Sequence, residues 1–400
     1  MLVYVSVEKA REFLLDLVVP LGEETIYLEE GLGRILGPDF HAPVDLPAVA
    51  QAAVDGYALG GDGSDGRQDY VLQDYPDQGQ TTPDAVLGPG QALAVVTGGP
   101  LPVGTVAVVA REHVRVENNR IRTAAVVPPG CNVKPAGEDF HTGELVMPAG
   151  TRVDPGLTAV LAAFGQDRVS VRRRPRVGIL SLGREIIAYR ETPSAGQVRD
   201  ANGPLLAALA TRHGARVAAV ETAGGSGLAE ARVKLRRLLE HAELVLTIGG
   251  VASGPDDYAL ALLRESGARV LFWGVGMKPG HHSGAAVWED RPVIALSGNP
   301  AACAVAYQLL AAPVLRAFQG LTPFPAAMSA VCTNSFPKRG GPRRFLRGCA
   351  ACGPEGWEVS LLPGQKSSML RSLINWNVLV ELPAGHPPVS PGNRVSVIPL

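Results

Sequence analysis

The sequence predicts a multidomain protein of the α/β plus β class, in which one α/β region with a mostly parallel sheet lies between two β-rich regions. Between residues 174 and 320, apolar strand patterns alternate with helix patterns, an order typical of a parallel sheet covered on both faces. Before and after this region, short valine-rich segments are separated by turns. The 47 glycines and 33 prolines suit those turns.

The composition excludes several broad functions. The chain has 400 residues, 46% of them hydrophobic, so it can bury several cores. Lys and Arg number 37 and Asp and Glu 38, a balance that argues against a nucleic-acid partner. The N-terminus lacks a signal-peptide pattern, and we expect no apolar run to reach the roughly 18 residues of a membrane helix. We therefore expect a soluble, cytoplasmic protein that binds neither nucleic acid nor a membrane.

The cysteines indicate free thiols rather than a disulfide framework. Their number is five, which is odd, in a long chain. Cys349 and Cys352 have C-x-x-C spacing, but a structural zinc site needs about four ligands. Ordinary buried or loop cysteines are therefore favoured over a zinc site.

The first 173 residues predict one helix followed by mostly β structure. Ser6 is a candidate N-cap for a helix whose apolar face begins at Val7, and a second helical stretch is expected at residues 29–36. The segment VENNRIRT predicts a hairpin that turns at Asn118 and Asn119. The basic segment VRRRPR, residues 171–176, indicates a boundary before the α/β region.

Inside the α/β region, cap and stop residues predict the helix ends. Asn202 is the expected N-cap of the helix NGPLLAALATRHG, and Gly214 is its expected stop. Ser226 is the expected cap of the next helix, and a further helix follows Asp256 and Asp257. After residue 320, short β segments predict a small barrel or sandwich of about 80 residues.

Three loops at strand ends carry the sequence signal for a ligand site. They read SLGREI, IGGVASGPDD and LSGNPAA. Ligands of such sheets bind at the C-terminal ends of the strands, where loop and helix N–H groups stabilise an anion. A single loop of this kind is weak support, because turns need glycine anyway, but three on one sheet predict phosphate binding. The candidate binding residues are Ser181, Gly183, Gly249, Gly250, Ser253, Gly254, Ser297, Gly298, Asn299 and Pro300.

Carboxylates and one lysine accompany these loops. Glu185, Asp200 and the pair Asp256 and Asp257 lie near strand ends or helix starts, where they serve either as caps or as metal ligands. One or two carboxylates that act beside phosphates suit Mg²⁺. In the segment GVGMKPGHHSG, Lys278 is a candidate oxyanion ligand. His281 and His282 either assist it or are plain loop residues.

Taken in order, the motifs resemble those of the molybdopterin molybdenumtransferase family, which includes the MoeA proteins and the gephyrin E domain. The matching stretches are AVDGYA, VVTGGPLPVGTVAVVARE, VKPAGEDFHTGELVMPAGTRV, SLGREI, QVRDANGPLL, TIGGVASGPDDY, MKPG, LSGNP and SSMLRSL. Most are weak alone, but together they cover essentially the whole chain in the family's order.

The resemblance implies four domains and a homodimer. Domain III is the α/β molybdopterin-binding domain and domain IV a C-terminal β-barrel, while domains I and II are non-contiguous. Each active site is expected between domain III of one subunit and the N-terminal part of the other. The bounds implied are 1–27 with 44–52 and 143–173 for domain I, 28–43 with 53–142 for the β-rich domain II, 174–320 for domain III, and 321–400 for domain IV.

The resemblance also implies a reaction and site residues. The family inserts molybdate into adenylated molybdopterin and releases AMP with the help of Mg²⁺. Asp55, Glu185 and Asp257 are the catalytic and metal-binding acids by this resemblance, and Lys278 is the basic catalytic residue. Substrate-binding residues that it adds are Thr97, Asp200, His281, and Arg343 or Arg347 with Ser367 or Ser368. A molybdopterin adenylyltransferase and molybdoenzyme acceptors are the partners it suggests.

The sequence departs from the family pattern at several places. SLGREI stands where S-T-G-D-E-L is usual, so that Arg184 replaces an acid, and KPGHH stands where K-P-G-K-P is common. ETAGGSG lacks an acidic pair, and INWNVLV replaces an A-N-G segment. Two alternatives therefore stay open beside the transferase: a non-catalytic homologue that binds the cofactor or a partner, and the adenylylation step. The choice between molybdate and tungstate also stays open.

Overall fold

The computed structural model describes residues 2–61, 66–73, 86–224, 227–251 and 258–400. The candidates Ser226, Ser253, Gly254, Asp256 and Asp257 lie outside these residues. The chain forms two compact units. The first comprises Met1–Glu24, Gly33–Ile35 and Val171–Leu400, and the second Thr25–Leu32 and Leu36–Ser170. The chain enters the first unit for the last time at Val171, where the basic segment VRRRPR begins. The four-domain bounds stay a prediction.

The helices and strands follow the chain in this order. The helices are α1 (Val7–Leu15), α2 (Pro155–Ala163), α3 (Asn202–Arg212), α4 (Gly227–His241), α5 (Tyr258–Glu265), α6 (Pro300–Ala306) and α7 (Ala312–Phe318), with a π-helical turn at Tyr307–Ala311 and 3₁₀ turns at Leu28–Glu30, Arg111–His113 and Arg371–Leu373. The strands up to residue 150 are β1 (Leu2–Val5), β2 (Glu23–Tyr27), β3 (Phe40–His41), β4 (Gln51–Ala52), β5 (Gly56–Gly60), β6 (Asp69–Leu72), β7 (Gln91–Val95), β8 (Thr105–Ala110), β9 (Val114–Glu117), β10 (Arg120–Thr123), β11 (Val133–Lys134) and β12 (Leu145–Met147). The later strands are β13 (Arg168–Arg172), β14 (Arg176–Ser181), β15 (Ile186–Ile187), β16 (Val198–Arg199), β17 (Arg216–Thr222), β18 (Leu244–Ile248), β19 (Arg269–Val275), β20 (Gly284–Trp288), β21 (Arg291–Leu296), β22 (Met328–Cys332), β23 (Arg344–Gly353), β24 (Gly356–Leu361), β25 (Val378–Leu382) and β26 (Arg394–Pro399).

The first unit is built on a seven-stranded sheet with the order β1-β19-β20-β21-β18-β14-β17. Strands β21, β18, β14 and β17 run parallel, and β1 runs parallel to β19. Strand β20 is antiparallel to both of its neighbours. The predicted α/β region with a mostly parallel sheet is therefore confirmed, while the edge strand β1 and the antiparallel strand β20 were not predicted.

Helices cover both faces of this sheet. Successive residues of a strand point to opposite faces, so in β14 Ile179 packs in one core and Leu180 in the other. The first core contains α1, α3 and the segment Pro300–Phe318, and the second contains α4 and α5. Sites at the strand ends are therefore built on a rigid, fully covered sheet.

The C-terminal region is a closed barrel, as the resemblance implied. Its strand order is β22-β24-β23-β25-β26, and β26 pairs with β22 to close it. The barrel has its own interior core. Phe345, Trp376 and Leu379 pack instead in the first core of the α/β region, so the barrel and the α/β region share buried surface.

The second unit contains a six-stranded sheet with the order β8-β5-β7-β6-β10-β9. The predicted hairpin is present, since β9 and β10 pair in register. Asn118 and Asn119 have φ of 46° and 59°, the left-handed values that a two-residue hairpin turn needs and that Asn tolerates. A Cβ at Gly56 would lie 1.9 Å from the carbonyl oxygen of Val109, so only glycine fits at the start of β5.

Two local predictions were wrong and have physical explanations. Residues 29–36 do not form a helix: a 3₁₀ turn at Leu28–Glu30 ends at Gly31, and Gly33 has a φ of 75°. Asn202 is the first residue of α3 rather than its cap. The carboxylate of Asp200 accepts instead from the N–H groups of Asn202 and Gly203, at 3.0 and 2.9 Å, which satisfies helix donors that have no intrahelical acceptor.

The remaining helix-end predictions agree with the structure. The N–H of Lys9 donates to the Ser6 side chain, which caps α1. Gly214 follows α3 with a φ of 81°, a conformation that favours glycine after a helix.

One helical segment among the described residues, Pro300–Phe318, is long and apolar enough by composition to cross a membrane. Its most apolar window is 89% buried inside the fold. Such burial is typical of the core helix of a globular domain, which explains the composition.

Capping of α2 by Asp154 gives a first testable prediction. The N–H of Leu157 donates to Asp154 Oδ1 at 2.8 Å, and Pro155 opens the helix. We expect Asp154→Ala to destabilise α2 by about 1 kcal/mol, because a helix donor loses its acceptor. Hydrogen–deuterium exchange should show faster exchange in α2. Asp167→Ala is the control, since the exposed Asp167 side chain has no partner among the described residues; equal exchange in both variants would contradict the assignment.

Candidate functional site

A cavity of about 990 Å³ lies at the C-terminal ends of β14, β18 and β21. The register of the sheet explains its position: Ser181 pairs with Ile248, and Ile248 pairs with Leu296. The three loops that the sequence singled out therefore begin side by side. The candidates that line the cavity are Ser181, Gly183, Glu185, Asp200, Gly249, Gly250, Ser297, Gly298 and Asn299.

The first loop contains a β-turn that projects two charged side chains. The N–H of Ile186 donates to the carbonyl of Gly183 at 3.2 Å, so Arg184 and Glu185 occupy the two central positions of the turn. Both are exposed and both line the cavity. Gly183 has a φ of 138°, a conformation that L side chains rarely adopt. The turn therefore depends on glycine at its first position.

The second and third loops approach each other through glycines. A Cβ at Gly298 would lie 3.4 Å from the Cα of Gly249, and a Cβ at Gly249 would lie 2.7 Å from the carbonyl oxygen of Leu182. Within the described part of the chain, the N–H groups of Gly183, Gly250 and Gly298 have no acceptor. Such N–H groups at a strand end or helix start are suited to bind phosphate oxygens.

Asp200 lines the cavity and connects the end of β14 to the start of α3. Its Oδ2 accepts from the Ser181 hydroxyl at 2.6 Å, and its Oδ1 accepts from the two N–H groups that begin α3. Asp200 is 5% exposed, so burial and these bonds leave little of the carboxylate for a ligand. The geometry favours the capping alternative for this residue.

Asn202 connects α3 to the third loop. Its amide nitrogen donates to the carbonyl of Gly298 at 2.7 Å, which leaves its Oδ1 buried without a partner among the described residues. The side chain lines the cavity. Because an unpaired buried acceptor is costly, it is available to an N–H or O–H of a ligand.

A second group of candidates lies on the barrel side of the α/β region. The N–H of Lys278 donates to the carbonyl of Arg343, and the N–H of Phe345 donates to the carbonyl of Lys278, both at 2.9 Å. These bonds hold the backbone of Lys278 at the edge of the barrel, and its side chain is exposed. The rings of His281 and His282 lie against each other with centroids 3.8 Å apart and planes tilted by 43°, but of the two residues only His282 lines the cavity.

The two candidate arginines have different surroundings. Arg343 forms ion pairs with Glu8 and Glu381, and the attraction of these carboxylates raises its pKa despite the opposing effect of burial. Arg347 is fully buried in the barrel. Its guanidinium donates to Ser372 Oγ and to the carbonyl of Gly364, both at 3.0 Å.

Burial without a carboxylate lowers the pKa of Arg347 to about 10. One of its nitrogens, Nη1, is buried without a partner among the described residues. Neither arginine lines the cavity.

The LSGNP loop links the two groups. The N–H of Ala301, in the first turn of α6, donates to the carbonyl of Ser367 at 3.0 Å. Ser367 and Ser368 therefore lie beside Pro300, next to the end of the cavity that Asn299 lines. The structure thus brings the strand-end loops and the serine segment of the barrel together.

Asp55 and Thr97 form a separate pair in the second unit. The N–H and hydroxyl of Thr97 both donate to Asp55 Oδ1, at 2.7 and 2.8 Å. The hydrogen bond from the Thr97 N–H has the larger effect and that from the hydroxyl the smaller, and together they hold the pKa of Asp55 below its usual range. The motifs AVDGYA and TGGPLP are therefore adjacent, and they present an exposed anionic carboxylate.

Several cavity residues were missed from the sequence as candidates. Arg184, Asn202 and His282 were noticed only as a departure, a cap and a loop residue, while Tyr258, Leu228 and Ala261 were not singled out. Asn202 could have been indicated by its position two residues after Asp200, at the start of α3.

No group of three or more His, Cys, Asp or Glu side chains placed to hold a metal ion occurs within the described residues. All five cysteines are free thiols. Cys352 is exposed and Cys349 partly buried, so these two follow the ordinary-cysteine interpretation.

Comparison with protein families matches almost the whole chain in three consecutive parts. The MoeA N-terminal region (domain I and II) matches residues 5–165. A probable molybdopterin binding domain matches residues 178–317, and the MoeA C-terminal region (domain IV) matches residues 329–400. The cavity lies in the second of these parts.

Similar proteins agree over their full lengths. A molybdopterin molybdenumtransferase from Staphylococcus epidermidis is 28% identical over 400 residues, which cover 98% of this chain and 95% of that protein. One from Staphylococcus aureus is 29% identical over 380 residues, or 94% and 90% of the two chains. The crystal structure of a molybdopterin biosynthesis MoeA protein from Pyrococcus horikosii superposes with a TM-score of 0.83 at 26% identity and covers 99% of both chains.

The histidine pair gives a prediction about pH. Burial, followed by the charges of His282 and Lys278, lowers the pKa of His281 below its ordinary range. A lowered pKa keeps the imidazole neutral near pH 7, so positive charge at His281 appears only as the pH falls below about 6.5. If His281 contacts an oxyanion, molybdate affinity measured by calorimetry should rise as the pH is lowered from about 8 to about 5.5. His281→Gln should remove that rise; a flat profile for the unmodified protein would contradict the prediction.

Proposed function

Since the chain belongs to the MoeA family of molybdopterin molybdenumtransferases, we propose that it inserts molybdenum from molybdate into adenylated molybdopterin and releases AMP. The observation that carries the proposal is the cavity of about 990 Å³ formed by three glycine-containing loops at one edge of a parallel sheet. Its polar wall suits a substrate whose two halves are joined through a diphosphate.

Backbone donors support the binding of that diphosphate. The N–H groups of Gly183, Gly250 and Gly298 point from three neighbouring loops and lack acceptors among the described residues. Preorganised N–H groups stabilise charge that develops on phosphate oxygens without further reorganisation. The amide oxygen of Asn202, also unpaired, would accept a hydrogen bond from a pterin N–H or a ribose O–H.

The residues present fit Mg²⁺ that is held jointly with the substrate. Mg²⁺ is commonly bound by one or two carboxylates together with substrate phosphates and waters. Glu185 supplies an exposed cavity carboxylate that forms no ion pair with a described residue, and Asp257 belongs to the next loop outside the described residues. When bound, Mg²⁺ would neutralise charge on the phosphoanhydride during its cleavage.

The oxyanion would lie toward the barrel. Molybdate is a dianion and needs cationic and hydroxyl donors. The serine pair Ser367 and Ser368 lies beside the start of α6, because the N–H of Ala301 donates to the carbonyl of Ser367. Lys278 and His281 flank Gly280, where a Cβ would lie 3.4 Å from the carbonyl oxygen of Ala302 in α6.

Arg343 is paired with Glu8 and Glu381 and would have to break these ion pairs to bind an oxyanion. Arg347 is fully buried. We therefore assign the cationic contact with molybdate to Lys278.

A cofactor-binding homologue without turnover is the second candidate. The presence of Arg184 in the cavity, where the family commonly has an acid, is the observation that favours it. This alternative predicts tight binding of adenylated molybdopterin without AMP release, so the assay that tests the transferase also tests the alternative.

We further propose that the protein acts as a soluble cytoplasmic homodimer with the pair Asp55 and Thr97 contributed to the active site of the partner subunit. The exposed, ionised carboxylate of Asp55 supports a role toward a cation or a donor outside its own unit. A molybdopterin adenylyltransferase would supply the substrate, and apo-molybdoenzymes would receive the product.

Removal of the Glu185 carboxylate tests the transferase directly. We expect Glu185→Gln to lower molybdate-dependent AMP release by about 100-fold or more, because a charge-stabilising ligand of the transition state is lost. AMP release should be followed by chromatography, and product formation by activation of an apo-molybdoenzyme. Binding of the adenylated substrate in EDTA should change little.

Glu191→Gln is the matched control, because Glu191 is an exposed carboxylate six residues after Glu185, between β15 and β16, and does not line the cavity. Full activity of Glu185→Gln would exclude the proposed role of this residue. AMP release by neither the variant nor the unmodified protein, with tight binding by both, would establish the non-catalytic alternative.

Mixed dimers test the shared active site. Asp55→Asn and Glu185→Gln should each be inactive alone. When the two variants are unfolded together and refolded, about half of the dimers are mixed and each contains one intact site, so about a quarter of the full AMP release should return. If both residues served the same subunit's site, every site would carry one substitution and no activity would return.

A further inference from the structure

Arg184 is fixed at the cavity by the bonds on both sides of its turn. The N–H of Ile186 donates back to the carbonyl of Gly183, and the N–H of Val198 donates to the carbonyl of Glu185 at 2.8 Å. A Cβ at Gly224 would lie 1.7 Å from the carbonyl oxygen of Ile186, so the segment after the turn packs tightly against a neighbouring loop. The position of Arg184 above the strand end is therefore set by the backbone.

The guanidinium of Arg184 has no counter-charge within the described residues. It forms no ion pair or hydrogen bond there, whereas Arg176 and Arg237 of the α/β region pair with Glu243 and Glu221. Of the other charged cavity residues, Asp200 accepts from Ser181 and from the start of α3, and Glu185 points over Gly183. Among the described residues, the cavity therefore presents the unpaired side chains of Arg184 and Glu185 side by side.

We propose that Arg184 is a phosphate-binding residue that contacts the diphosphate of the adenylated substrate and gives this site affinity for a nucleotide diphosphate without a divalent cation. The inference rests on the proposed function and adds a specificity-determining contact to it. A guanidinium matches two phosphate oxygens with two parallel N–H groups. It lies beside unpaired backbone donors of the same loop, so both can bind one diphosphate.

The two charged side chains of the turn have different roles in diphosphate binding. Arg184 supplies a permanent positive charge, while the adjacent Glu185 is suited to a cation that arrives with the phosphates. Two neighbouring carboxylates at these positions, as in the usual S-T-G-D-E-L segment, would repel a diphosphate until a metal ion was bound. With Arg184 at the first of the two central positions of the turn, the nucleotide binds before the metal at lower cost, and the dependence of binding on Mg²⁺ becomes shallow.

The experiment measures binding of ADP and of inorganic pyrophosphate to the full-length protein by calorimetry, once in EDTA and once with Mg²⁺. In EDTA, Arg184→Gln should weaken both ligands by about 10-fold or more, the loss expected for a charged hydrogen bond. The loss should be smaller with Mg²⁺. Adenosine, which has no phosphate, should be unaffected by the substitution, whereas a merely structural role would affect all three ligands alike.

Arg190→Gln is the matched control, since Arg190 is exposed six residues further on, contacts the Tyr189 hydroxyl and does not line the cavity. Equal affinity of Arg184→Gln and the unmodified protein for ADP in EDTA would overturn the proposal, as would a failure of the unmodified protein to bind ADP. These results are independent of AMP release: binding that depends on Arg184 without turnover keeps the phosphate contact and rejects only the transferase.

Discussion

The site depends on the register of three parallel strands. Ser181, Ile248 and Leu296 lie in one row across β14, β18 and β21. The three strands therefore end at the same edge of the sheet, and the loops that follow them begin side by side. Each strand is followed within two residues by a glycine, Gly183, Gly250 or Gly298, whose N–H has no acceptor among the described residues. A shift of one residue in any of these strands would displace its loop and turn its apolar residues to the wrong face. The cores on both faces of the sheet therefore also fix the cavity.

Polar residues then join the loops into one surface. Asp200 connects the end of β14 to the start of α3, and Asn202 connects α3 to the loop after β21. The serine segment of the barrel meets that same loop through the N–H of Ala301. Each bond uses a donor or acceptor that a strand or helix end leaves free. The end of β14, the start of α3, the loop after β21 and the barrel are thus joined by hydrogen bonds.

Much of this could be predicted from sequence, because the informative patterns are local. Strand and helix alternation gave the parallel sheet, and the caps Ser6 and Gly214 follow from backbone chemistry within one turn. The errors have two causes: local residues that were overlooked, and neighbours that are distant in sequence. Residues 29–36 have helical spacing, but Gly31 and Gly33 interrupt them, and β1 forms only because β19 offers an edge. Asn202 looked like a cap, yet Asp200, two residues earlier, satisfies the same N–H groups.

The candidate site shows the same limit. The strand-end glycines were predictable, since their spacing marks loops after buried strands. The different surroundings of Arg343 and Arg347 were not, because one arginine meets Glu8 from the first helix and the other is enclosed by a loop of the barrel. The sharing of one core by Phe345, Trp376 and Leu379 with the α/β region has an evolutionary consequence. The barrel is not an interchangeable module, so recombination that exchanged it alone would expose an apolar face, and the two domains are constrained to be inherited together.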